Sequence, residues 1–117
     1  MDIPREGSLL RIFIGESDRY QGRPLYEWIV KQARESHLAG ATVIRGMMGF
    51  GAHSRLHTFK IERLSEDLPV IVEIVDEKEK LEEFLGRVDG VIDEGLATIE
   101  RVHVHFYRSG QSPTELQ

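Results

Sequence analysis

Residues 38–51 read Leu-Ala-Gly-Ala-Thr-Val-Ile-Arg-Gly-Met-Met-Gly-Phe-Gly. A β-branched triplet, Thr42-Val43-Ile44, runs into Arg45 and then into Gly46, Gly49 and Gly51. A strand passing straight into a glycine-rich loop suits a phosphate ligand. Glycine lets the main chain take positive φ and lets the ligand approach the peptide N–H groups closely. The same residues also suit a strand with a bulge and a turn, the commoner use of glycine. Arg45 and Arg108 are the candidate cations, because both are expected at strand ends beside glycines and a planar guanidinium meets phosphate oxygens two at a time. Pairing with one of the abundant acids is the alternative for Arg45. The turn Asp93-Glu94-Gly95 offers backbone donors and no cation.

Other chemistry finds less support in the residues. Of the five histidines, His37, His53, His57, His103 and His105, only His103 and His105 would share a strand face. A metal site needs three or four converging ligands, so no metal ligand is assigned. There is no cysteine, no Walker motif and no serine-histidine-aspartate motif, and no catalytic residue is expected. An acylphosphatase-type site would need an asparagine, and the chain contains none. Glu77, Glu79, Glu82 and Glu83 read as the solvated side of a helix.

Composition narrows the class further. The 117 residues suit one domain, 1–117, with a polar tail over 110–117. Apolar residues make up 40% and charged residues 30%, the balance of a soluble globular chain. A formal net charge of −5 argues against nucleic acid as a partner, so a phosphate would have to be held by local geometry. No stretch approaches the length of a membrane span and the start lacks an apolar leader, so a cytoplasmic protein is expected.

The elements that would position these residues follow from patterning. Residues 8–16 alternate, with Leu10, Ile12 and Ile14 on one side and Leu9, Arg11 and Phe13 on the other, which predicts a central strand. A polar connection over 15–23 leads to Pro24 as first residue of a helix that carries Leu25, Trp28, Ile29 and Ala33 and reaches about His37. Trp28 is its expected core anchor. Leu38-Ala39-Gly40 ends that helix, and a second strand covers about 41–47. A long functional loop, with some strand around residues 55–62, extends to Asp67. Residues 70–75 are a buried strand opened by Pro69. Asp76 is the expected N-cap of a second helix, with Glu79 completing a capping box, and Leu81, Phe84, Leu85 and Val88 face its core. Residues 97–107 form the last strand, with Val102, Val104 and Phe106 inward. The order gives an α+β, ferredoxin-like βαββαβ sandwich, an antiparallel sheet with two helices on one face and a long loop between the second and third core strands. The uncovered face, with Leu9, Phe13, Ile71, Val75 and Tyr107 as its candidates, suggests self-association.

Over nearly its whole length the sequence resembles the PII-like signalling proteins, in particular a small bacterial and archaeal branch. The resemblance is carried by residues 9–16, 25–28, 39–46, 49–51, 68–70 and 92–95. It implies a non-catalytic homotrimer that binds an adenine nucleotide (ADP, AMP or ATP) in clefts between subunits and needs no cofactor. It places Gly40, Ala41, Thr42, Gly49, Phe50 and Gly51 beside the nucleotide and makes residues 52–67 a signalling loop, which could reach a membrane transporter, a channel or an enzyme. Asp93, Glu94 and Gly95 fall at the phosphate turn, and Arg108 where a basic residue reaches over from the neighbouring subunit. Most PII proteins carry a lysine after the second glycine of that turn, whereas Leu96 stands here after two acids. The segment between Thr42 and Gly49 is also one residue longer. These departures favour AMP, ADP or a cyclic dinucleotide over tight ATP binding. The alternative is a metal-responsive trimer of the divalent-cation tolerance type, which shares the topology.

Overall fold

The computed structural model describes residues 5–51 and 67–110. Strand β1 (Glu6–Gly15) lies between β5 (Pro69–Asp76) and β6 (Leu96–His103), and β4 (Thr42–Arg45) extends the sheet beyond β5. The order β4-β5-β1-β6 is antiparallel throughout. Two helices, α1 (Leu25–Glu35) and α2 (Lys78–Val88), complete the expected α+β ferredoxin-like fold, and a 3-10 turn, Asp89–Val91, follows α2. The signalling loop assigned to 52–67, its possible strand around 55–62, and the tail assigned to 110–117 lie outside the described residues except for Asp67 and Gly110.

Strand alternation sorts the side chains between core and open face. Leu10, Ile12 and Ile14 on β1 and Val70, Val72 and Ile74 on β5 are buried against Leu25, Ile29 and Ala33 of α1 and Leu81, Phe84 and Val88 of α2. Leu9, Phe13, Ile71 and Val75 point to the other face and are half-buried, as the alternation predicts. Between them Arg11 bonds Glu73 on β5 at 3.0 Å and Glu100 on β6 at 2.6 Å. The hydrogen bonds to Glu73 and then Glu100 hold the Arg11 guanidinium above its ordinary value, so it stays charged through neutral and alkaline pH.

Several local expectations are corrected. The polar connection over residues 15–23 also holds a short hairpin, β2 (Arg19–Tyr20) and β3 (Arg23–Pro24), across Gln21 and Gly22, both at positive φ. Helix α1 begins at Leu25, with Pro24 as the residue before it. Its buried anchor is Ile29, whereas Trp28 is half-buried and meets the edge of Tyr20 at 4.8 Å. The helix ends at Glu35 with Ser36 as its C-cap, two residues short of the expected His37: His37 has φ +62°, its N–H donates to Arg34 O at 3.0 Å, and Leu38 N–H donates to Ala33 O at 3.2 Å. That pair of bonds is a Schellman ending, with histidine where glycine is usual. Helix α2 has Glu77 at its N-cap with no side-chain cap, so the expected Asp76–Glu79 capping box does not form. Asp76 is instead a buried residue of β5. On β6 the inward residue is Ile99, opposite Leu10; Val102 pairs with Gly7 on the open face, and Phe106, beyond the strand, is exposed.

Candidate functional site

The expected site residues divide between the two ends of the sheet. At one end, where β4 stops and β6 starts, Gly49, Phe50, Gly51, Glu94 and Gly95 line a cleft of about 420 Å³ with Phe13 and Leu96. Gly46 N–H donates to Pro69 O at 2.8 Å, which ties the start of the glycine-rich loop to β5. A Cβ on Gly46 would lie 2.9 Å from Pro69 Cγ, and one on Gly95 would lie 2.7 Å from Phe13 O. Gly95 is thus required by the backbone of β1 whether or not a ligand is bound.

The charge lining this cleft is acidic. Among the described residues, Asp18, Asp67 and Glu94 line it and no cation does. Asp18 Oδ2 accepts Gly15 N–H at 3.0 Å, and Asp67 Oδ1 accepts the Ser17 hydroxyl at 2.8 Å, so both carboxylates brace the turn after β1. Arg45 sits at the same end without lining the cleft, and its guanidinium bonds Glu16 at 2.9 Å while the side chain stays 61% exposed. Asp93 is exposed next to the cleft.

At the other end of the sheet Gly40, Ala41 and Thr42 line a second hollow of about 500 Å³ with Val75, Val102, His103, His105 and Tyr107. Arg108 follows, its guanidinium 4.1 Å above the Phe106 ring. Leu9 and Glu73 line this hollow and Phe13 the first, with Arg11 between Leu9 and Phe13 on β1. Four residues of β1 put the two rims about 13 Å apart. One chain therefore does not gather the expected residues into a single hollow.

Sequence reasoning missed Phe13, Asp18, Asp67 and Leu96 as cleft-lining residues. Phe13 carried a signal, as an apolar residue on the uncovered face; Asp18 and Asp67 sit in connections where no periodicity points them anywhere. Among the described residues no three histidine or carboxylate side chains are grouped to hold a metal ion, and no helix is long and apolar enough to cross a membrane.

The profile of the family described as DUF190, uncharacterized ACR, matches residues 7–104. The chain belongs to the DUF190 family. Among its relatives, a UPF0166 protein of Aquifex aeolicus (strain VF5) is 42% identical over 98 residues, covering 84% of this chain and 92% of the relative. A UPF0166 protein of Methanocaldococcus jannaschii is 36% identical over 101 residues, covering 86% and 93%. Among solved structures, the DUF190 chain is similar to CPII of Thiomonas intermedia K12 bound to ADP, AMP and acetate, with a TM-score of 0.62 at 14% identity, covering 86% of this chain and 90% of that one. A Thermus thermophilus protein described as PII-like gives a TM-score of 0.58 at 17% identity, covering 85% and 89%. The fold of this DUF190 protein is thus the PII-like one, as the resemblance implied.

Proposed function

We propose that this protein is a non-catalytic regulator that binds an adenine nucleotide, AMP or ADP in preference to ATP, between the subunits of a homotrimer. The observation that carries the reading is the division of the candidate residues between opposite ends of one sheet. A contact that joins one end of a chain to the other end of its neighbour is heterologous, and a ring of such contacts closes when the rotation allows. In that arrangement the cleft of one subunit supplies apolar walls and backbone donors, and Arg108 of the next supplies the cation. The half-buried apolar residues of the open sheet face supply the contact between subunits. CPII, of similar fold, was solved with ADP and AMP, which supports the choice of ligand. Residues 52–67 would carry the signal to a partner protein.

A thermal-shift panel of AMP, ADP, ATP, cyclic di-AMP and divalent metals on metal-free protein tests this reading. AMP or ADP should stabilise the protein; stabilisation by a divalent metal alone would favour the metal-responsive alternative. Arg108→Ala should weaken ADP binding by about 1.5–3 kcal/mol, the range for a hydrogen bond to a charged group. Arg45→Ala should weaken it less, because Glu16 already holds that guanidinium. No response to any adenine nucleotide would remove the reading.

A further inference from the structure

Residue Ala39 is held through both of its peptide groups. Its N–H donates to Asp76 Oδ2 at 2.8 Å, and its carbonyl accepts the Tyr107 hydroxyl at 3.1 Å. Asp76 is 0% exposed, and its other oxygen accepts Glu77 N–H at 2.7 Å. The carboxylate thereby joins the end of β5, the start of α2 and the segment that leads from α1 into β4. Two backbone amides directed at a buried carboxylate satisfy it where water cannot. Tyr107 reaches the Ala39 carbonyl from beyond β6: the strand ends at His103, Val104 N–H still donates to Arg5 O at 2.6 Å, and the Tyr107 hydroxyl ties the following segment to Ala39.

The neighbours of these groups give the arrangement its meaning. Gly40, Ala41 and Thr42 follow Ala39 directly, and Arg108 follows Tyr107. Ala39 thus connects the segment Gly40-Ala41-Thr42, which lines the second hollow, with the segment that carries Arg108, the cation of the proposed function. We infer that Asp76 and Tyr107 are positioning residues: Asp76 fixes the main chain at Ala39 from the core, and Tyr107 fastens the chain that carries Arg108 to that fixed residue. The inference rests on the nucleotide reading for its purpose, while the clamp itself is a property of the protein without ligand. The two bonds lie on the adjacent peptide groups that flank the Ala39 Cα, so each restrains the main chain at Ala39 from its own side.

Tyr107→Phe keeps the ring and removes only the hydroxyl, and it is the primary test. In ligand-free protein, amide hydrogen exchange over residues 39–42 and 104–108 should speed up about five- to tenfold, the equivalent of one ordinary hydrogen bond, with residues 70–75 unchanged. Unchanged exchange in both segments would overturn the inference. ADP affinity should fall by a similar factor, and Tyr107→Phe combined with Arg108→Ala should bind no more weakly than Arg108→Ala alone, because the tyrosine acts through the arginine. Multiplying losses would show that it does not and would overturn that part. Altered exchange in a protein that binds no nucleotide would keep the clamp and remove the proposed function. Asp76→Asn, which retains one acceptor, should speed exchange at residues 39–42 more than Tyr107→Phe does; no increase there would refute the role of Asp76.

Discussion

His37 has φ +62° at the end of α1, a conformation that glycine takes freely and an L side chain resists. Nothing in the local sequence marks the position, because Gly40, three residues on, is the conventional stop signal. The bonds from His37 and Leu38 back into the helix require the left-handed turn earlier. His37→Gly should therefore raise stability by about 0.5–1 kcal/mol, the usual size of such backbone effects, as read by urea unfolding. A loss would mean that the histidine side chain does more for the fold than its exposure suggests. Gly95 presents the opposite case. A methyl group there would meet the carbonyl oxygen of Phe13, a backbone atom that cannot swing aside. Gly95→Ala should destabilise by about 1–3 kcal/mol, the range for overpacking, even without ligand. A neutral result would free Gly95 for a purely ligand-binding role.

At the scale of elements, α2 begins without a side-chain cap: Glu77 has extended backbone angles, φ −70° and ψ 143°, and no side-chain bond to the first turn. Glu77→Ser should add about 0.5–1 kcal/mol, since a serine oxygen at this position reaches the free N–H groups. Denaturant unfolding decides it, and an unchanged midpoint would mean that those groups are already satisfied. The reading of Asp76 as the cap erred because an acid three residues before Glu79 satisfies the capping pattern, while burial leaves no direct mark in one residue. The alternation did hold the answer: Val70, Val72, Ile74 and Asp76 lie on the same side of β5, and all are buried. Strand β6 was harder, because Leu96 and Val102 offer one apolar side and Ala97 and Ile99 the other. Its register against β1 chooses the second, and register is a long-range property. The order of elements was legible because β1, β5 and both helices have strong periodicity, and the division of the site was not, because distance between sheet ends follows only from pairing.

For the whole molecule, the open sheet face and the divided site make the same demand. Leu9, Phe13, Ile71 and Val75 are each half-buried in the single chain, and covering an apolar side chain of this size completely is worth about 1.5–3 kcal/mol. The Arg11 bridge to Glu73 and Glu100 stands among them, and these two hydrogen bonds raise the pKa of its guanidinium, so the cation persists at neutral pH and the bridge is no switch there. The most direct measurement of a shared site uses two variants damaged at opposite ends, Arg108→Ala and Gly51→Glu, produced separately and then together in one cell. Calorimetry with ADP should find binding greatly weakened in each variant alone and restored in about a quarter of all sites after random mixing, which is one site in each mixed trimer, where an intact cleft of one chain meets an intact Arg108 of the next. Mixed protein that binds no better than the separate variants, beside wild type that binds ADP, would place the whole site within one chain and contradict the account.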